Sequence, residues 1–146
     1  MIIKTILFPT DFSEEAAHAL SYAVDVAKTY KAKLYILHVI QDIDISSNLH
    51  IPHQSVDVMF DEFASSAKKA LDKLCVSVQE DCKGIETITL RGIPYEEILK
   101  FAPAKKTDLI VMATHGRKGL DRVLFGSTAE RVVRNSSCPV LTIRRP

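Results

Sequence analysis

Short apolar segments alternate with amphipathic segments along the whole chain. Residues 2–8, 33–40, 108–113 and 139–143 are mostly apolar, and residues 85–90 alternate apolar with polar side chains, which together predicts five strands. The segments between them favour helices. Strands and helices that alternate in this way indicate an α/β domain, a doubly wound parallel sheet with helices on both faces.

The intervening segments carry recognisable helix signals. The first predicted helix follows candidate caps at residues 10–13 and has two glutamates in its first turn, where acidic side chains suit the helix dipole. The second repeats apolar residues at three- and four-residue steps from position 56 to 78, with Phe63 in the stripe. Pro94 takes the favoured first position of a short third helix, and residues 126–135 form the fourth.

Composition narrows the class of protein. The 146 residues suit one domain, residues 1–146, and the net charge of +1 gives no reason to expect nucleic acid or a membrane as partner. No apolar run reaches the roughly 18–20 residues of a membrane span, and the N-terminus lacks a secretory signal. Three cysteines, an odd number, are typical of a reducing compartment. We therefore expect a cytoplasmic protein.

Unusual residues follow two of the predicted strands. Pro9, Thr10 and Asp11 come after the first strand, whereas His115 and Gly116 come after the fourth. Ligands of open α/β sheets bind beyond the carboxyl ends of the strands, where the strand order reverses. If the first and fourth strands are neighbours, these two ends form the two walls of one crevice.

The second wall has the features of a phosphate site. Gly116 and Gly126 bracket nine residues, and Ser127 follows directly. Gly116 lets the backbone approach an anion, and Gly126, Ser127 and Thr128 open a helix whose free N–H groups suit a phosphate. In the alternative interpretation, Gly and Ser before a helix are only a turn and an N-cap. Three residues between the glycines add positive charge in the first interpretation and are merely solvated in the second: Arg117, Lys118 and Arg122.

Several segments together resemble the universal stress protein family. Residues 115–134 read His-Gly-Arg-Lys-Gly-Leu-Asp-Arg-Val-Leu-Phe-Gly-Ser-Thr-Ala-Glu-Arg-Val-Val-Arg, and residues 138–143 read Cys-Pro-Val-Leu-Thr-Ile. Residues 6–13, Ile-Leu-Phe-Pro-Thr-Asp-Phe-Ser, and residues 37–40, Leu-His-Val-Ile, resemble the family as well. The resemblance implies a Rossmann-like sheet of five strands in the order 3-2-1-4-5.

The resemblance also implies an adenine-nucleotide site. In ATP-binding members the pattern is Gly, two residues, Gly, nine residues, then Gly and Ser or Thr. Ala113 stands at the first glycine, and its extra methyl group is expected to weaken ATP binding. Asp11 would meet the adenine edge, although from the residues alone it is a helix cap, and both roles are compatible. The implied site comprises Pro9, Thr10, Asp11, Val39, Met112, Ala113, His115, Gly116, Gly126, Ser127 and Thr128.

The expected function is binding of ATP or AMP as a regulatory ligand in a stress response, with Mg²⁺ arriving on the phosphates. No G-x-S-x-G elbow is present and Ser127 lacks an evident base, so we expect slow ATP hydrolysis at most. A nucleotide-free dimeric interaction module is the alternative. In both cases the resemblance suggests a homodimer formed by the last strand, whose apolar edge should not stay open: Val140, Leu141, Thr142 and Ile143.

The remaining cysteines and histidines do not form a metal-binding pattern. Cys75 and Cys82 are seven residues apart, which is not C-x₂-C, and core packing is the simpler interpretation. His50 and His53 would hold a metal only if their polar segment were helical. His38 is expected in the core or at the rim of the crevice. The sequence therefore predicts no metal site made by the protein alone.

Overall fold

The computed structural model describes residues 1–42, 52–78, 80, 84–116 and 124–146, apart from the side chain of His53. Within these ranges strands and helices alternate, as the sequence predicts. The elements are β1 (Thr5–Pro9), α1 (Glu14–Tyr30), β2 (Lys33–Gln41), α2 (His53–Val78), β3 (Ile85–Gly92), α3 (Pro94–Ala104), β4 (Leu109–Ala113), α4 (Ser127–Asn135) and β5 (Val140–Ile143).

The five strands form one parallel sheet in the order β3-β2-β1-β4-β5. Strand β1 lies at its centre, with Ile6 opposite Leu34 of β2 and opposite Leu109 of β4. The chain winds outward from β1 in one direction to β3 and then in the other direction to β5. This confirms the expected fold and makes β1 and β4 neighbours, as the two-walled crevice requires.

Helices cover both faces of the sheet. Successive side chains of a strand point to opposite faces of the sheet. The strand residues therefore contribute alternately to two cores, one on each face. Ile6 and Phe8 pack with α1 and with Leu71 of α2. Leu7 and Leu37 pack against α3 and α4 on the opposite face. The central strands are nearly continuously apolar because helices cover both of their faces.

Local sequence signals mark several of the helix ends. Ser13 is the N-cap of α1, and its hydroxyl oxygen accepts the N–H of Ala16 at 3.1 Å. Lys31 ends that helix in the left-handed conformation, with φ of +53°. Pro94 is the first residue of α3, as predicted. Gly126 precedes α4 as its N-cap, so this helix begins one residue later than the sequence suggested.

The first strand differs most from its prediction. It begins at Thr5 instead of position 2, because pairing with β2 starts there. Ile2 is 76% exposed. The carboxylate of Asp108 accepts the N–H groups of Lys4 and Thr5 at 2.8 and 2.9 Å, which satisfies the backbone at the point where the ladder begins.

A cleft between two neighbouring strand ends

A cleft of about 940 Å³ lies at the carboxyl ends of β1, β2 and β4. This is the point where the strand order reverses, since β1 has its successor β2 on one side and β4 on the other. The structure brings together in its lining every residue of the implied nucleotide site: Pro9, Thr10, Asp11, Val39, Met112, Ala113, His115, Gly116, Gly126, Ser127 and Thr128.

The first wall is the β1–α1 turn, residues 10–13. Two of its backbone N–H groups donate to its own side chains: that of Phe12 to Oγ1 of Thr10 at 3.1 Å, and that of Ser13 to Oδ1 of Asp11 at 3.0 Å. The N–H of Thr10 donates to the carbonyl oxygen of Leu37 at 2.8 Å, which ties the turn to β2. Such side-chain-to-backbone bonds favour a compact turn over continued helix or strand.

Phe12 has a left-handed backbone, with φ of +62°, which is unusual for a bulky residue. Its ring stacks on the imidazole of His38, with ring centroids 4.5 Å apart and a 35° angle between the planes. Nδ1 of the same imidazole lies 2.8 Å from the carbonyl oxygen of Thr10. Because a carbonyl oxygen only accepts, Nδ1 carries the proton and donates it. His38 is therefore a rim histidine with partners in the turn.

The second wall is the β4–α4 connection, of which residues 114–116 and 124–126 are described. The N–H of Thr114 donates to the carbonyl oxygen of Ile143, and the carbonyl oxygen of Thr114 accepts the N–H of Gly126 at 2.7 Å. Oγ1 of Thr114 lies 3.0 Å from Nδ1 of His115, its neighbour in the chain. The two ends of the connection are thus held together.

Gly126 and Gly116 allow close contacts rather than unusual backbone angles. A Cβ on Gly126 would lie 3.4 Å from the carbonyl oxygen of Thr114, at the short end of ordinary van der Waals contact. A Cβ on Gly116 would overlap Oδ2 of Asp11. The carboxylate of Asp11 therefore occupies the space that the missing side chain of Gly116 leaves, and the two walls meet at this point.

The N-terminus of α4 opens onto the cleft. Ser127 and Thr128, in its first turn, line the cleft together with the N-cap Gly126. The first N–H groups of a helix have no partner within the helix and lie at the positive end of its dipole. Gly126 provides no side-chain cap to cover them. This end of the cleft is therefore chemically suited to an anion.

An apolar floor lies beside that helix end. Val39 and Met112 pack with the core under α3 and α4, and Ile98 of α3 completes the same side of the cleft. Ala113 is half-buried and packs instead toward the core under α1. The cleft thus has an apolar region that suits a planar base and, at α4, a polar region that suits phosphates.

Sequence reasoning did not find the wall contributed by α2. Phe63, which the helical stripe placed with the packed face, is 43% exposed and lines the cleft together with small residues of the same helix. The spacing of apolar residues shows which side of α2 faces the sheet. It does not show where along the helix the sheet ends and the cleft begins. Phe12 was part of the segment that resembles the family, yet no role followed from the sequence. Four residues of α2 form the missed wall: Phe63, Ser66, Ala67 and Ala70.

Several predictions fall outside the described residues or concern other parts of the chain. The predictions that lie outside them concern Arg117, Lys118, Arg122, His50 and Cys82.

Cys75 is a half-buried free thiol, so it is less enclosed than core packing implies. Among the described residues there is no group of three or more His, Cys, Asp or Glu side chains placed to hold a metal ion. Within the same ranges, every helix is too short or too polar to cross a lipid bilayer.

Known proteins resemble this chain over nearly its whole length. Universal stress protein MJ0531 of Methanocaldococcus jannaschii is 38% identical over 146 residues, which is 99% of this chain and 84% of that protein. The solved structure of protein MJ0577 from the same organism has a TM-score of 0.90 at 31% identity and covers 100% of this chain and 99% of that chain. Universal stress protein UspA from Lactobacillus plantarum has a TM-score of 0.87 at 31% identity, with 99% of each chain covered.

Two more distant structures share the fold and were solved with nucleotides. One is a universal stress protein in complex with cAMP, 24% identical with a TM-score of 0.69 and 98% of each chain covered. The other is the universal stress protein from Archaeoglobus fulgidus in complex with dAMP, 21% identical with a TM-score of 0.71, covering 98% of this chain and 99% of that chain. At these identities the likeness concerns the fold.

A family model described as the universal stress protein family matches residues 3–144. Since this match covers nearly the whole chain, and relatives above 30% identity match over the same length, the chain belongs to the universal stress protein family.

Proposed function

We propose that the cleft binds an adenine nucleotide, ATP or AMP, as a regulatory ligand in a cytoplasmic stress response. One observation carries the proposal: an apolar floor and the N-terminus of a helix lie side by side at the point where the strand order reverses. The complexes of more distant family members with cAMP and dAMP add support.

In this proposal the base lies against Val39 and Met112, with the carboxylate of Asp11 near its edge. The ribose and phosphates extend toward Gly116 and the first turn of α4. Mg²⁺ accompanies the phosphates, because it retains water ligands and binds readily to phosphate oxygens. The protein would contribute binding and orientation. ATP turnover would remain well below about 1 s⁻¹, the lower end of the ordinary enzyme range.

Isothermal titration calorimetry with ATP, AMP and cAMP, each with Mg²⁺, tests the proposal. We expect saturable heat for at least one of them. The Ser127→Ala variant should bind AMP more weakly, because it removes a hydroxyl donor at the helix end, while its affinity for adenosine should change less. Ser137→Ala is the matched control, since Ser137 is exposed in the α4–β5 connection.

Absence of heat and of a thermal shift at millimolar nucleotide would overturn nucleotide binding. The alternative, an interaction module without nucleotide, would then be favoured. A turnover above about 1 s⁻¹ that is lost in His115→Ala would instead show an enzyme.

We also propose a homodimer formed by β5. This strand is at the edge of the sheet and pairs with β4 on one side. Leu141 in it is 37% exposed, and Val133 of the adjacent α4 is 43% exposed. An exposed apolar edge strand favours pairing with a second copy. The strand residues involved are Val140, Leu141, Thr142 and Ile143.

Light scattering tests the dimer directly. Leu141→Lys should yield monomers, because a charge on the edge strand opposes pairing. Val58→Lys is the control, because Val58 is 58% exposed on α2. Helix α2 packs on β2 and β3, at the opposite side of the sheet from β5, so this substitution should leave the dimer intact. A wild-type monomer at high concentration would contradict the proposal.

A further inference from the structure

His38 lies on the opposite face of the sheet from the proposed base. Its neighbour Val39 packs toward α3 and α4. The imidazole of His38 points the other way and stacks on Phe12, whose ring packs against the core under α1. In the proposed arrangement His38 is therefore separated from the base by the strand itself, although it lines the cleft.

Thr10, the first residue of the β1–α1 turn, bonds to β2 through both its N–H and its carbonyl oxygen. The N–H of Thr10 donates to the carbonyl oxygen of Leu37, and the carbonyl oxygen of Thr10 accepts Nδ1–H of His38, each at 2.8 Å. Two successive residues of β2 thus bond to both backbone groups of Thr10, its N–H and its carbonyl oxygen. Thr10 is 8% exposed, so little water is available to replace these bonds.

The same ring supports the third residue of the turn. Phe12 adopts a φ of +62°, which a residue with a bulky side chain avoids unless its surroundings hold it. The stack on His38, with centroids 4.5 Å apart, is one of the contacts that hold it. His38 therefore contacts the residues on both sides of Asp11.

Asp11 lies between these two fixed residues, and its carboxylate spans the two walls. Oδ1 accepts the N–H of Ser13 at 3.0 Å, while Oδ2 lies against Gly116. The direction of this carboxylate depends on the backbone of residues 10–12, which His38 stabilises at both ends. A shift of that backbone would move the carboxylate relative to any ligand in the cleft.

We propose that His38 is a positioning residue for nucleotide binding, which acts by holding the β1–α1 turn so that Asp11 faces Gly116 across the cleft. This inference rests on the proposed function, because its readout is nucleotide affinity. It assigns His38 an effect on the ligand without direct contact with it.

A pair of amide substitutions isolates the hydrogen bond. The side-chain N–H₂ of Asn takes nearly the place of Nδ1, whereas that of Gln reaches nearer to Nε2, and neither variant keeps the ring. His38→Gln should weaken AMP binding by roughly tenfold, the effect of one lost buried hydrogen bond, and His38→Asn should recover most of it. His38→Phe keeps a ring for the stack but lacks the donor, so its loss of affinity should lie between those of the Gln and Asn variants.

A double-mutant cycle with Asp11→Ala shows whether His38 acts through Asp11. If it does, His38→Gln should cause little further loss of AMP affinity in the Asp11→Ala background. His18→Phe is the matched control, because His18 stacks edge-on with Tyr22 on α1 and is outside the cleft lining. Thermal unfolding of each variant checks that it is folded, and the Asn and Gln pair provides a comparison if the Phe variant unfolds.

The outcomes separate the two proposals. If the wild-type protein does not bind AMP, ATP or cAMP, the proposed function fails and this inference fails with it. If wild-type protein binds AMP, the inference alone is overturned by unchanged affinity in His38→Gln, by equal losses in the Asn and Gln variants, or by additive losses in the cycle with Asp11→Ala.

Discussion

The two walls of the cleft face each other, but different groups hold them in place. In the β1–α1 turn the side chains of Thr10, Asp11 and Ser13 satisfy the backbone, and a ring stack supports Phe12. In the described part of the β4–α4 connection, backbone bonds join Thr114 to Ile143 and to Gly126, and the missing side chain of Gly116 leaves space for the carboxylate of Asp11. Side-chain polar atoms thus stabilise the first wall, whereas backbone bonds and the absence of a side chain at Gly116 distinguish the described part of the second.

This difference decides which substitutions disturb each wall. The turn should be sensitive to the removal of polar atoms, since buried and half-buried backbone N–H groups lose their acceptors. The connection should be sensitive to an added Cβ at Gly116, since the carboxylate of Asp11 occupies that space. The following predictions test the contrast, from the largest expected effect to the smallest.

Gly116→Ala should have the largest effect, because it disturbs both walls. The new Cβ would displace the carboxylate of Asp11 and weaken its bond to the N–H of Ser13. We expect a loss of about 1–2 kcal/mol in the free energy of unfolding and a loss of at least about tenfold in nucleotide affinity. Urea denaturation and calorimetry measure the two quantities.

The Asp11→Ala background is the control for that substitution. With the carboxylate removed, the new Cβ meets no obstacle from it, and Gly116→Ala should be neutral or slightly stabilising because alanine restricts the unfolded chain. An equal destabilisation in both backgrounds would show that contact with Asp11 is not the reason for glycine at this position.

Ser13→Ala should have an intermediate effect confined to the first wall. It removes the hydroxyl that accepts the N–H of Ala16 at the start of α1. Loss of an N-cap of this kind costs about 1 kcal/mol of stability. Urea denaturation measures it, with Ser137→Ala as the matched exposed control. Recovery in Ser13→Asp, which restores an acceptor, would support the cap, and no difference between the Ala and Asp variants would contradict it.

Ala113→Gly should have the smallest effect on stability, about 0.5–1 kcal/mol, from the added freedom of glycine at the end of a strand. Its effect on nucleotide affinity should have the opposite sign, since the methyl group that lines the cleft is removed. Calorimetry with ATP measures the gain. If affinity stays the same, the methyl group of Ala113 does not limit binding and the weakening inferred from the sequence is wrong.

The fold was predictable from the sequence because its signals are local and repeated. The apolar runs of strands such as β2 and β4 and the glutamates after Ser13 follow from burial on two faces and from the dipole of α1. The sheet order came from the family resemblance, since the spacing of apolar residues does not show which strands are neighbours. The predicted strand ends were less accurate, as at Thr5, because the ladder begins where a partner strand begins.

The candidate site was predictable only as a set of residues. Glycine, serine and threonine at the start of a helix are visible in a sequence, and so is an aspartate after a strand. Their pairing is not visible, because Asp11 and Gly116 are far apart in the chain. The wall formed by α2 and the contact of His38 with Phe12 were missed for the same reason.

By itself, the sequence of this protein determined a doubly wound α/β fold, the caps and turns at its helix ends, and the residue types suited to an anion at the start of α4. These features depend on contacts within a few residues or on the burial of whole segments. Only the tertiary structure decided that Asp11 fills the space beside Gly116, that the imidazole of His38 contacts Thr10 and Phe12, and that α2 lines the cleft. Those contacts join residues from different elements, and their geometry exists only once the sheet has brought its strand ends together.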